Sequence, residues 1–183
     1  MKLLIASDIH GSAKYCSMLM DSYVREGADR LILLGDILYH GPRNDLPDEY
    51  RTTRVIEMLN ERRDVIYAVR GNCDSEVDQM VLKFPLLADY APIILEDRMI
   101  YATHGHLYNK DRLPPIGKGK AKKDILLTGH THIPACEDCG DFIYMNPGSV
   151  SLPKANSPRG YIVTDGGHFV WKTLEGDEYM SYE

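Results

Sequence analysis

The chain has 183 residues, 44% of them apolar, and carries a formal net charge of −6 with a pI near 5.6. That length fits one domain over residues 1–183 with a full core, and the acidic balance excludes a general nucleic-acid or membrane-surface binder, which needs a basic face. No apolar run approaches the ~18 residues of a membrane span, and four scattered cysteines are too few for a disulfide framework.

The elements follow in chain order. Met1 to Ala6 is too short for a signal peptide and runs straight into Asp8 and His10. It reads as the first strand (Leu3 to Ala6) of a cytoplasmic protein. A helix is expected from Ser12 to Glu26, with Ser12 as N-cap and Gly27 ending it in the left-handed conformation. Cys16, Leu19, Met20, Tyr23 and Val24 recur at helical spacing and predict its buried stripe. Leu31 to Leu34 is a second apolar strand. Residues 40–50 form a long loop, and a second helix spans Asp48 to Arg62 with Val55, Ile56 and Leu59 inward. Val65 to Val69 is a third strand, followed by a short helix from Ser75 to Leu82 that stops before Pro85.

The second half is mostly strands: Ile93 to Leu95, Met99 to Ala102, Ile125 to Leu127, Phe142 to Met145, Tyr161 to Thr164 and Phe169 to Trp171. Glu96-Asp97-Arg98 and Asp165-Gly166-Gly167 read as hairpin turns. A long loop over 109–124 carries Lys118, Lys120, Lys122 and Lys123. This run reads as a solvated loop, or as a steering element for anions where it borders a pocket. Cys136-Glu137-Asp138-Cys139 lacks the second pair of ligands that a zinc site needs and reads as a turn. Residues 176–183 are acidic and expected to fray. Uniformly apolar strands imply sheets covered on both faces. The expected fold is α/β: a four-layer αββα sandwich of two mixed sheets flanked by helices.

Chemistry-bearing residues fall where these runs end. Asp8 and His10 follow the first strand. Gly35-Asp36 follows the second, Gly71-Asn72 the third, His104 a strand of the second half, and His130 and His132 another. In α/β sheets ligands gather at the carboxyl ends of strands. If the chain stays extended, Asp8 and His10 point to one side; His130 and His132 again sit two apart. Carboxylate, amide and imidazole without thiolate suit Mn²⁺, Fe²⁺ or Zn²⁺, with Mg²⁺ less favoured. Two carboxylates against two divalent ions leave a positive centre that attracts a phosphoryl group.

The pattern Asp8-x-His10, Gly35-Asp36, Gly71-Asn72-x-Asp74, His104-Gly105, Gly129-His130-x-His132 and Asn146-Pro147-Gly148-Ser149 resembles the calcineurin-like metallophosphoesterase superfamily. Within it, His40-Gly41-Pro42-Arg43-Asn44 and Gly71-Asn72-Cys73-Asp74-Ser75 look like the YfcE-type bacterial phosphodiesterases. The resemblance implies one metal on Asp8, His10 and His132, a second on Asn72, His104 and His130, and Asp36 bridging them. It also implies Mn²⁺-supported hydrolysis of small-molecule phosphodiesters by a bridging hydroxide, and a homodimer or tetramer. Cys73 stands where many relatives carry a histidine that protonates the leaving group, which favours diesters over monoesters. Asp74 is expected to orient a ligand histidine. His40 and Arg43 divide between phosphate contacts and loop or interface packing, and His106 between substrate contact and support of the ligands. Two other readings use the same motifs: a phosphomonoesterase or nucleotide phosphatase, and a non-catalytic scaffold like the retromer subunit Vps29.

Overall fold

The computed structural model describes residues 1–95, 98–117 and 122–183. Lys118 and Lys120 of the basic run, and Glu96 and Asp97 of the first expected hairpin turn, lie outside the described residues. Among the described residues, no helix is long and apolar enough to cross a membrane.

The described elements, in chain order, are β1 (Leu3–Ala6), α1 (Ala13–Glu26), β2 (Arg30–Leu33), α2 (Thr52–Glu61), β3 (Ile66–Ala68), α3 (Glu76–Val81), β4 (Tyr90–Leu95) and β5 (Arg98–Thr103). There follow β6 (Asp124–Leu127), β7 (Pro134–Asp138), β8 (Phe142–Pro147), β9 (Gly160–Asp165), β10 (His168–Thr173) and β11 (Glu178–Tyr182). They form two mixed sheets, as the sequence predicts. One has six strands in the order β11-β10-β9-β1-β2-β3, the other five in the order β4-β5-β6-β8-β7. β1, β2 and β3 run parallel, and so do β5, β6 and β8.

Strand parity divides the core. Leu4 and Ala6 of β1, with Leu31 and Leu33 of β2, pack against Cys16 and Leu19 of α1 and Val55 and Leu59 of α2. Leu3, Ile5 and Ile32 face the other way and meet Ile100, Ile125, Leu127 and Ile143 of the second sheet, with Trp171 and Phe169. Both faces of the first sheet are therefore buried, which is why its strands read as unbroken apolar runs. The outer face of the second sheet (Leu126, Phe142, Tyr144) is covered by loop residues Leu113 and Ile116. Among the described residues the fourth layer is thus loop, not helix.

Several expectations need correction. The α1 stripe turns by a few tens of degrees: Tyr15 and Ser22 are buried with Cys16 and Leu19, while Val24 is exposed. Ser22 is drawn in by its hydroxyl, which donates to the Leu174 carbonyl at 3.1 Å. α2 starts at Thr52 rather than Asp48, because Glu49 is left-handed (φ 49°) and Tyr50 bridges to Ser12. Residues 178–182 do not fray; they pair antiparallel with β10. Cys136 and Asp138 lie in β7, so only Cys139 belongs to the expected turn. Cys136 packs toward the intersheet core and Cys139 toward the outer face. The Asp165-Gly166-Gly167 turn forms as expected, with both glycines at positive φ.

Candidate metal centre

Five of the seven expected ligands have left-handed backbones: Asp8 (φ 59°), His10 (49°), Asp36 (54°), His130 (66°) and His132 (62°). The extended conformation expected around Asp8 and His10 is therefore not adopted. Each such residue costs energy, and the cost persists only where the surroundings over-determine it. Here they do. Asp8 N, His10 N and Gly11 N donate to the carbonyls of Gly35, Asp36 and Ile37 at 3.2, 2.9 and 2.8 Å, so the two ligand loops form one ladder. The hydroxyls of Ser149 and Ser151 both donate to the Asp8 carbonyl, at 2.9 and 3.1 Å.

The Asn146-Pro147-Gly148-Ser149 run is the brace between the sheets. Asn146 Nδ2 donates to the Gly129 carbonyl (2.8 Å) and to Thr131 Oγ1 (3.1 Å), holding the loop that carries His130 and His132. Its own carbonyl accepts from Trp171 Nε1 at 2.7 Å. Two glycines are needed for close approach. A Cβ on Gly71 would sit on Asp36 Oδ1 and 2.9 Å from Asp36 Cγ, and one on Gly129 would sit on Ser7 Oγ.

Each carboxylate has one oxygen tied to backbone and one turned inward. Asp8 Oδ2 accepts from His130 N (3.0 Å). Asp8 Oδ1 is fully buried without a hydrogen-bond partner, 3.3 Å from His132 Nε2 and 3.5 Å from His10 Nε2. Asp36 Oδ1 accepts from Cys73 N (2.8 Å). Asp36 Oδ2 lies between the two halves of the cluster, 3.7 Å from His10 Nε2 and 3.5 Å from His104 Nε2.

The imidazoles are oriented in the same way. Nδ1 of His10, His104 and His132 contacts the carbonyls of Tyr39 (2.8 Å), Leu34 (2.6 Å) and Leu152 (2.6 Å). A carbonyl only accepts, so Nδ1 carries a proton, which leaves Nε2 as the atom that can offer a lone pair to a metal. His10 Nε2 and His132 Nε2 then face each other at 3.3 Å. His104 Nε2 lies 3.0 Å from Asn72 Oδ1 and 3.2 Å from His130 Nδ1. Imidazole nitrogens and carboxylate oxygens converging this closely in a buried site call for positive charge between them, from protons on the rings or from metal ions. The donor set thus fits divalent metals. Asp8, His10 and His132 form one compact group and Asp8, Asp36 and His104 another, while Cys73 Sγ falls within reach of His10 and Asp36.

Electrostatics point the same way. Burial works to raise Asp8, yet the adjacent imidazoles of His10 and His132 and the charge of His104 hold it well below the usual carboxylate range. Burial opposes charge on His104 too, but Asp36 and Asp8 raise it to about 9. Burial, then the charge of Asp36, pushes the Cys73 thiol well up, so it stays protonated.

The remaining expected residues separate by position. Arg43, Asn72 and Cys73 line a cleft of about 440 Å³ together with Asp36, His130 and His132. His40 does not line it; its ring packs edge-on against Tyr39 (4.7 Å) and Tyr50 (5.3 Å). His106 packs against the His104 ring (5.4 Å) and does not line the cleft. Burial, then the neighbouring imidazoles of His104 and His130, lower it to about 4. Asp74 does not orient a histidine. Its carboxylate accepts from the backbone N–H groups of Asp36 (2.8 Å), Ile37 (2.9 Å) and Gly71 (2.7 Å). It is a clamp on two ligand loops, because three converging amides satisfy a buried carboxylate better than one imidazole. Lys123 pairs with Asp138 on β7 (2.6 Å), away from the cleft. Sequence reasoning missed Lys154, which lines the cleft and sits in no local pattern, and gave no role to Asn44, which lines it from the His40-Gly41-Pro42-Arg43-Asn44 motif. It also missed Ser151, whose spacing of two from Ser149 is the one available signal.

A two-sheet α/β sandwich with this rim of oriented ligands is the architecture of one superfamily. The chain belongs to it: the calcineurin-like phosphoesterase superfamily domain matches residues 1–167. Among relatives, the chain is 46% identical to phosphodiesterase YfcE of Escherichia coli K12 over 165 residues, covering 90% of this chain and 88% of that protein. The solved structure of E. coli YfcE, a phosphoesterase, matches with a TM-score of 0.94 at 42% identity, covering 100% and 98% of the two chains. Zinc-bound Vps29 of Entamoeba histolytica (TM-score 0.60, 16% identity, coverage 100% and 98%) shares the fold.

Proposed function

We propose that this protein is a phosphodiesterase that hydrolyses small-molecule phosphodiesters with two divalent ions, Mn²⁺ first among them. The observation that carries the reading is the pair of buried carboxylates with one oxygen each turned toward imidazole Nε2 atoms. In this assignment Asp8, His10 and His132 hold one ion, Asn72, His104 and His130 the other, and Asp36 Oδ2 is shared. When bound, such ions activate a water for attack and offset charge on the phosphoryl oxygens.

The chain's own residues do the rest. Backbone amides of Cys73 and His130 keep the inward carboxylate oxygens from rotating away. The carbonyls of Tyr39, Leu34 and Leu152 keep three imidazoles in the binding tautomer. Arg43 and Lys154 line the cleft and supply positive charge for a phosphoryl group. The protonated thiol of Cys73 stands beside the ligands as the residue that can donate toward the leaving oxygen. A thiol is a weaker donor than an imidazolium, which favours diesters with good leaving groups over monoesters.

Protein stripped of metal should be inactive on bis-p-nitrophenyl phosphate and recover with added Mn²⁺. Full activity after stringent chelation would overturn the metal mechanism. A large preference for p-nitrophenyl phosphate over the diester would overturn the substrate class.

A further inference from the structure

The metal cleft opens at Pro42, Arg43, Asn72 and Cys73 into a second concavity of about 550 Å³, walled by Tyr39, Pro42 and Val77. The concavity continues as a trough of about 230 Å³ past Tyr50, Ile56 and Val81. Tyr39 and Val77 are 42% and 67% exposed, so apolar surface is on offer to solvent here. Single exposed apolar residues are ordinary. These are not single: they line one continuous arm that begins at the metal ligands.

The arm is also poor in free polar groups. Two carboxylates border it, Asp74 and Asp78. Asp74 is consumed by three backbone amides. Asp78 caps α3, accepting from Ser75 N and Ser75 Oγ at 2.7 and 2.9 Å. Arg43 stands at the mouth shared by cleft and arm and Lys154 lines the cleft alone, so positive charge stops at the mouth, and among the described residues the trough past Tyr50, Ile56 and Val81 is lined by no cation. The Tyr39 backbone is tied to the centre through its carbonyl and His10 Nδ1, which fixes the root of its side chain at the mouth of the arm.

We propose that the Tyr39–Val77 arm is a specificity pocket for the organic substituent of the phosphoester, selecting an aromatic or otherwise apolar group. The Lys154 side receives negative charge. An apolar substituent buries surface in the arm and leaves no polar group unpaired, whereas a charged one that passes Arg43 at the mouth is desolvated with no cation to pair it. The inference rests on the metal-centre reading above, because the phosphoryl group is what places the substituent at the arm's mouth.

The test is calorimetric binding of phenylphosphonate and methylphosphonate to Mn²⁺-loaded protein. Each carries one substituent and neither turns over. Phenylphosphonate should bind about tenfold tighter, ~1.4 kcal/mol. Tyr39→Ala and Val77→Ser should each cut that preference to about twofold, the ratio being taken on the same variant. Ile94→Ser, on the exposed face of β4, should leave it intact. Equal affinities in the wild type, or a preference that survives in both arm variants, would overturn the arm and leave the metal centre standing. Failure of both phosphonates to bind the Mn²⁺-loaded protein would overturn the metal-centre reading as well.

Discussion

Two concavities of nearly equal size lie on this molecule. One is the metal cleft, about 440 Å³. The other is an apolar seam of about 410 Å³ along β3 and β4, the open edges of the two sheets, lined by Leu3, Ile32, Tyr67, Val69, Ile93 and Ile94. Volume does not separate them. Polarity and backbone do. The cleft is ringed by left-handed residues and buried charges whose orientations are set by amides and carbonyls. The seam has regular strand backbone and one charged side chain, Arg30. Catalytic capacity follows from convergent, oriented polar groups held at an energetic cost, not from room for a ligand.

The largest test of that contrast is Asp36→Asn. It removes charge from the oxygen shared between the two ligand groups, and kcat should fall by about 10³-fold while the circular dichroism stays native. Ile94→Ser at the seam should leave kcat unchanged; a comparable loss from both variants would erase the distinction.

Gly71→Ala should lower kcat by roughly 10²-fold. Its new Cβ displaces the Asp36 carboxylate without touching any charge, and isothermal titration should show weakened Mn²⁺ binding. Normal Mn²⁺ affinity in this variant would mean that the Asp36 position tolerates movement.

Asp74→Ala leaves three buried amides unsatisfied, and urea denaturation should show a loss of about 3 kcal/mol. If stability is kept and only activity falls, Asp74 serves the chemistry directly rather than clamping the loops.

The smallest effect comes from a carboxylate outside both regions. Glu26 works against its partial burial, yet the Tyr161 hydroxyl (2.8 Å) and Lys172 (3.2 Å) hold it below its ordinary range. A depressed carboxylate stabilises the fold above its unfolded value of about 4.3, and that stability drains away as pH falls through the lower folded value. Glu26→Gln should therefore cost about 1 kcal/mol at neutral pH, with the gap to wild type closing in acid. A gap that widens as pH falls would reverse the assignment.

How far the sequence reached depends on where an element takes its stability from. β1, β2, β6 and the intersheet faces of β9 and β10 are apolar on their own account, and they were readable. β7 and β11 were not. Both are edge strands, and Cys136-Glu137-Asp138 or Glu178-Tyr179 carry no apolar period. Their pairing is conferred by β8 and β10, so no local signal announces them.

The same division holds at the centre. The order of Asp8, His10, Asp36, Asn72, His104, His130 and His132, each behind an apolar run, was sufficient to single out the candidate ligands, because strand ends and ligand types are local properties. The inference of side-chain direction from extended backbone failed at Asp8 and His10, which are left-handed, as are His130 and His132. That conformation is imposed by Ser149, Ser151, Asn146 and the Asp74 clamp, reaching across as many as 143 positions.

By itself, then, the sequence determined the candidate ligand set, the class of chemistry and most strands. Only the tertiary structure decided which carboxylate oxygen turns inward, that Asp74 grips amides rather than a histidine, that His40 packs while Lys154 lines the cleft, and that an apolar arm opens beside Cys73. The reason is physical: residue type and hydrophobic period are written locally, whereas strain, orientation and cavity shape exist only once distant segments are packed against one another.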